Sequence, residues 1–90
     1  MNKSINKIKK HLENGKVYFI AISKRHVDLF CDKFDINKSN CVYVHDEYVI
    51  QGVGKNKTCV LLNKYLFTKK QLDILDLIPP LKFDFISIDF

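Results

Sequence analysis

Val17-Tyr18-Phe19-Ile20-Ala21-Ile22, followed at once by Ser23-Lys24-Arg25-His26, decides how this chain is read. Six apolar residues in an unbroken run leave no polar face for solvent. As a strand, the run needs cover on both sides, which a parallel sheet between helical layers provides. Ser23 then offers an N-cap. Beyond it Val27, Phe30, Cys31 and Phe34 fall at i, i+3, i+4 and i+7, the stripe of an amphipathic helix. Asp28, Asp32, Lys33 and Asp35 lie largely off that stripe, so the spacing predicts a helix over 24–35. Asn37-Lys38-Ser39-Asn40 is a turn cluster, and Cys41-Val42-Tyr43-Val44-His45 is rich in strand formers. Together these segments predict a right-handed strand–helix–strand crossover.

Outward from that unit the same alternation continues. Ile5, Ile8 and Leu12 predict a helix over 4–13, with Gly15 as its C-terminal cap and Lys7, Lys9 and Lys10 on its other face. Thr58-Cys59-Val60-Leu61-Leu62 reads as a third strand, apolar almost throughout. Residues 46–57 fit either a strand at Tyr48-Val49-Ile50 or a short helical crossover, ending in a loop at Gly52–Lys57. Thr68 with Gln71 matches a capping box, Leu72, Leu75 and Ile78 are the expected buried stripe, and Pro79-Pro80 stops that helix. Phe83 to Phe90 reads as a last strand whose Asp84, Ser87 and Asp89 suit a partly solvated edge. The expected fold is a single α/β domain over 1–90, a small three-layer sandwich on a largely parallel sheet of three or four strands. The alternative is α+β, with 41–45 and 58–62 folded as an antiparallel hairpin.

Composition narrows the functional classes. At 90 residues and 10.6 kDa the chain supports one modest core. A domain of that size buries only about 60–65% of its unfolded surface. An apolar fraction of 47% with seven Phe argues against general disorder. No apolar run approaches the roughly 20 residues of a membrane span, and the basic N-terminus leads into no apolar signal segment. No membrane association is therefore expected. Cys31, Cys41 and Cys59 are odd in number and sit in apolar runs, which fits reduced cysteines and a cytoplasmic protein better than a disulfide framework. His11, His26 and His45 lie apart and no Cys-x-x-Cys occurs, so neither a metal site nor a cofactor is expected. Residues 1–70 carry 14 basic and 6 acidic groups, whereas residues 71–90 carry one basic group against four acidic ones. A basic body suits acidic protein surfaces or nucleic acid. Lys supplies 14 of the 15 basic groups, and direct nucleic-acid readers lean on Arg, so nucleic acid is a secondary expectation. Asn, Lys, Ile, Phe and Tyr make up 42 of 90 residues, which points to AT-rich coding.

Candidate sites follow from the parallel sheet. Gly52-Val53-Gly54-Lys55-Asn56 has the look of a phosphate loop and fails its pattern. Val49 stands where the first Gly belongs, Asn56 where Ser or Thr must bind metal, and a strand follows instead of a helix. The turn Ser23-Lys24-Arg25-His26 lacks glycine, yet it opens a helix, where free N–H groups attract anions. His45 and Asp46 follow the second strand, and Asn63 and Lys64 follow the third. In open α/β sheets ligands sit outside these carboxyl ends. Ser23, Lys24, Arg25, His26, His45, Asp46, Asn63 and Lys64 therefore form the candidate crevice for an anion or a partner. Tyr48 and Tyr65 are the aromatics least needed for the core and suit a protein interface. No spacing fixes a catalytic geometry, and no catalytic residue is assigned.

The segment Gly15 to Leu62 resembles half of a helicase-type or motor-type α/β domain without its phosphate loop. Gly15-Lys16-Val17-Tyr18-Phe19-Ile20-Ala21 with the following Lys24-Arg25-His26 resembles an inner strand–helix unit. Val60-Leu61-Leu62-Asn63 resembles a strand that ends where such domains place a metal-binding acid, with Asn in the acid's place. The resemblance implies a fold style without hydrolysis. The chain also looks like small phage-type orphan proteins, many of which bind host or defence proteins. The functional expectation is thus a non-enzymatic binding protein of a phage or mobile element, acting in the host cytoplasm on a larger host protein or nucleoprotein complex. An anti-defence inhibitor of the anti-CRISPR type is one concrete form. A strand-end ligand site or direct nucleic-acid binding are the alternatives, and the exposed last strand leaves a homodimer open.

Overall fold

The computed structural model describes residues 2–50, 53, 57–78 and 83–90. Four strands, β1 (Val17–Ile20), β2 (Cys41–Tyr43), β3 (Lys57–Leu62) and β4 (Phe83–Ile88), form one sheet in the order β2-β1-β3-β4. Every pairing is parallel: Val17 lies opposite Cys41 on one side and Thr58 on the other, and Lys57 opposite Phe83. The fold is α/β, and the hairpin alternative does not occur.

Burial explains the strand order. β1 is buried at every position and β3 at every position but its first, so both need neighbours and layers all round and take the centre. β2 is short and half-buried, and β4 exposes Asp84 and Ser87, so these two tolerate the edges. Helices α1 (Asn2–Glu13) and α2 (Lys24–Lys33) cover one face, packing Ile5, Ile8, Val27 and Phe30 on Phe19, Val60 and Ile86. The 3-10 turn Glu47–Ile50 and helix α3 (Lys69–Leu77) cover the other, packing Ile50, Ile74 and Ile78 on Tyr18, Ile20, Cys59 and Leu61. The step from β1 to β2 runs one way across the sheet under α2. The steps to β3 and β4 run the other way under the opposite layer, so all three crossovers share one hand.

Several boundaries differ from expectation for local reasons. The sequence suggests strands 17–22 and 41–45, but pairing ends at Ile20 and Tyr43, and Ile22 is exposed. Helix α2 stops at Lys33 rather than residue 35. Asp35 takes a left-handed conformation (φ 53°), and the Ile36 N–H reaches back to the Cys31 carbonyl at 2.8 Å. That closure usually uses Gly, so it leaves little trace in sequence. Gly15 has φ 151°, and a Cβ there would meet nothing within 4 Å, so the backbone and not space selects glycine. In α3 the expected stripe is rotated. Gln71, Ile74 and Ile78 are buried, whereas Leu72 is exposed. Gln71 Oε1 accepts the Thr68 N–H at 2.9 Å, and this cap turns Gln71 inward and Leu72 outward. A strand follows the glycine loop, and residues 51, 52 and 54–56 of that loop lie outside the described residues, as do Pro79 and Pro80.

Candidate functional site

Strand order reverses direction between β1 and β3, so the carboxyl ends of these two strands flank the place where an open α/β sheet offers a ligand crevice. Ser23 and His26 follow β1 there, and Asn63 follows β3. The structure brings these three together, with the Phe90 backbone bonded to Asn63 and its ring beside His26.

Asn63 is the centre of the arrangement. It is only 2% exposed and sits in the left-handed region at φ 48°, which Asn tolerates better than most residues. Its Oδ1 accepts the Phe90 N–H at 2.8 Å. That bond fixes the orientation of the amide, because only the oxygen can accept. Nδ2 then faces the Phe90 carbonyl at 3.2 Å and His26 Nε2 at 3.1 Å. The amide and the imidazole thus lie within hydrogen-bonding distance and hold each other in place. The His26 ring lies 4.9 Å from the Phe90 ring, which also contacts Phe30 at 5.4 Å. A carboxylate at position 63 could take the Phe90 N–H but could donate nothing to the Phe90 carbonyl or to His26. Asn at position 63 is thus explained by hydrogen bonding within this chain.

The remaining groups of the expected crevice are dispersed. Ser23 caps α2, its Oγ accepting the His26 N–H at 3.2 Å. Lys24, Arg25 and Lys64 are exposed, and Lys24 borders a cleft on the β2 side of α2. His45 and Asp46 follow the outer strand β2, with β1 between them and β3. His45 Nδ1 lies 2.9 Å from Asp46 Oδ2, and Asp46 Oδ1 accepts the Tyr48 N–H at 2.9 Å, a local turn contact. Asp46 belongs instead to a groove of about 210 Å³ between the 3-10 turn and α3. Tyr48, Ile74 and Leu77 supply its apolar surface, and Glu47, Asp73 and Lys70 its charges.

Tyr48 is 70% exposed and Tyr65 72%. Leu66, Leu72 and Leu77 are also exposed on or just before α3. Sequence reasoning missed Phe90 and Leu77. Phe90 is placed by the β3–β4 register, which no local pattern reveals. Leu77 left a signal: it is an apolar residue three positions beyond Ile74 on a helix with polar neighbours. Among the described residues no three His, Cys, Asp or Glu side chains gather as metal ligands, and no helix is long and apolar enough to cross a membrane. No protein-family model, curated protein or solved structure matches the chain.

Proposed function

We propose that the protein is a small binding module that modulates a larger protein through the surface of the 3-10 turn and α3. The observation that carries this reading is the contrast in how polar and apolar groups are used. At the carboxyl ends of β1 and β3 Asn63, His26 and Ser23 make hydrogen bonds within the chain, and the Phe90 ring packs beside His26. On the α3 side Tyr48 and Leu77 stay exposed beside a groove whose charged rim is mostly acidic. An apolar centre with an acidic rim fits a partner patch that presents an apolar side chain among basic residues. Small size and AT-rich composition favour a phage or mobile-element source and a host protein or nucleoprotein complex as target. An anti-defence inhibitor is the concrete form of that reading.

Affinity purification from host lysate tests it. The native chain is expected to retain a stoichiometric protein, and Tyr48→Ala with Leu77→Ala to lose it. Recovery of nothing stoichiometric, or retention unchanged by the double substitution, contradicts the proposal.

A second reading, direct nucleic-acid binding, has one observation in its favour. Lys9 and Lys10 on α1 are exposed, and His11, Lys16 and Lys57 border a small cleft of about 90 Å³ near the amino ends of β1 and β3. It predicts affinity for DNA or RNA that falls steeply with salt. A gel-shift assay at low salt that shows no complex removes it.

A further inference from the structure

Cys31 lies in the last turn of α2, and Cys41 opens the edge strand β2. The turn that ends α2 carries the chain back so that the two sulfurs meet, Sγ to Sγ at 3.9 Å. Both belong to the α1/α2 side of the sheet, while Cys59 is buried on the other side. A cleft of about 150 Å³ borders the pair and is walled by Lys24, Asp28, Lys38 and Tyr43. A peroxide molecule needs roughly twice the 30 Å³ of a water, so the cleft has room for it, whereas a tripeptide disulfide is far larger.

The two thiols are not equivalent. The Cys41 thiol lies 3.5 Å from the Asn37 carbonyl as well as beside Cys31, so it has an acceptor for its proton on each side. Its contact with Cys31, together with burial, pushes its pKa up. The Cys31 thiol is pulled below the usual cysteine range, first by the hydrogen bond from Cys41 and then, against burial, by the nearby Lys38 ammonium. Lys38 is held by an ion pair with Asp32 at 3.0 Å. Cys31 has no exposed surface outside the cleft that it lines, and the half-buried Cys41 stands 3.9 Å away, placed to resolve an oxidised Cys31.

We infer that Cys31 and Cys41 form a dithiol that hydrogen peroxide oxidises to a disulfide, tying the end of α2 to the edge strand β2. The Cys31 thiolate attacks one peroxide oxygen, the O–O bond breaks, and the departing hydroxide takes a proton to leave as water. The Cys31 sulfenic acid is then attacked by the Cys41 sulfur. The S–S bond forms, the S–O bond breaks, and the hydroxide with the Cys41 proton leaves as a second water. Two thiols and one peroxide become one disulfide and two waters, with two electrons passing from sulfur to oxygen.

Peroxide treatment of the reduced native chain, followed by alkylation and peptide mass mapping, tests this inference. The expected product is about 2 Da lighter before alkylation, carries a Cys31–Cys41 linkage, leaves Cys59 free to alkylate after unfolding, and returns to the dithiol on reduction. In Cys41→Ser the expected product is a Cys31 sulfenic acid, trapped as its adduct with a cyclic dione. Three alkylatable cysteines after peroxide, a linkage that involves Cys59, or a dione adduct found only away from Cys31 would overturn it. The map of the native chain decides the linkage even if the variant fails to fold.

Discussion

The carboxyl ends of β1 and β3 and the groove beside α3 use similar residue types in opposite ways. At the strand ends Ser23 caps the helix that carries His26, Asn63 bonds to His26 and to the Phe90 backbone, and the Phe90 ring packs beside His26. Along the groove Tyr48 and Leu77 face solvent, and the nearby charges do not compensate one another in number. The first region resembles an interior: its polar groups are satisfied, and opening it would expose apolar rings. The second, on our proposal, is half of an interface: Tyr48 and Leu77 stay exposed among the described residues. Topology therefore marks where a crevice is expected, and side-chain pairing decides whether it is open.

The largest effect that can break this contrast is at position 63. Asn63→Ala leaves the Phe90 N–H and carbonyl without their partner and puts alanine in a left-handed conformation, so it is expected to cost about 3 kcal/mol in denaturant unfolding. Asn63→Gly separates the two causes. It keeps the backbone conformation and should recover roughly 1 kcal/mol of that loss. Equal losses for Ala and Gly would remove the conformational part of the argument. Phe90→Ala removes the ring shared by His26 and Phe30 and is expected to cost about 2 kcal/mol, less than a fully buried Phe because Phe90 is half-buried. Ser23→Ala removes one cap bond and should cost about 1 kcal/mol. At the other extreme Tyr48→Ala and Leu77→Ala should each change stability by no more than about 0.5 kcal/mol while abolishing partner retention. A large stability loss at Tyr48 or Leu77 would mean that the groove is part of the core and erase the distinction.

Much of the architecture was legible in the sequence because it rests on burial periodicity. The unbroken run from Val17 to Ile22 demanded cover on both faces, and its first four residues form β1 at the centre under two layers, while Ile22 at its end is exposed. The polar positions Asp84 and Ser87 marked β4 as an edge, and they are exposed. What sequence did not show depends on register and on single backbone conformations. Asn63 was legible as a strand-end residue and not as the partner of Phe90, because those positions are 27 residues apart and meet only through β4. The approach of Cys31 to Cys41 was equally hidden, since it follows a turn that holds Asp35 in a conformation usually given to Gly. Leu72 was read as buried and Leu77 was passed over, because helical spacing alone admits two adjacent stripes. The Thr68–Gln71 cap chooses between them.

The central claim is that the strand-end position most suited to a ligand is closed by the chain itself. Amide hydrogen exchange of Phe90, followed by NMR, tests it most directly, since that N–H is bonded to Asn63 Oδ1. The account predicts exchange slowed by about a hundredfold or more against an unstructured chain, and unchanged by added nucleotides or phosphorylated metabolites. Exchange at the unstructured rate, or a Phe90 signal that shifts on adding those ligands, would show that the cover is open and contradict it.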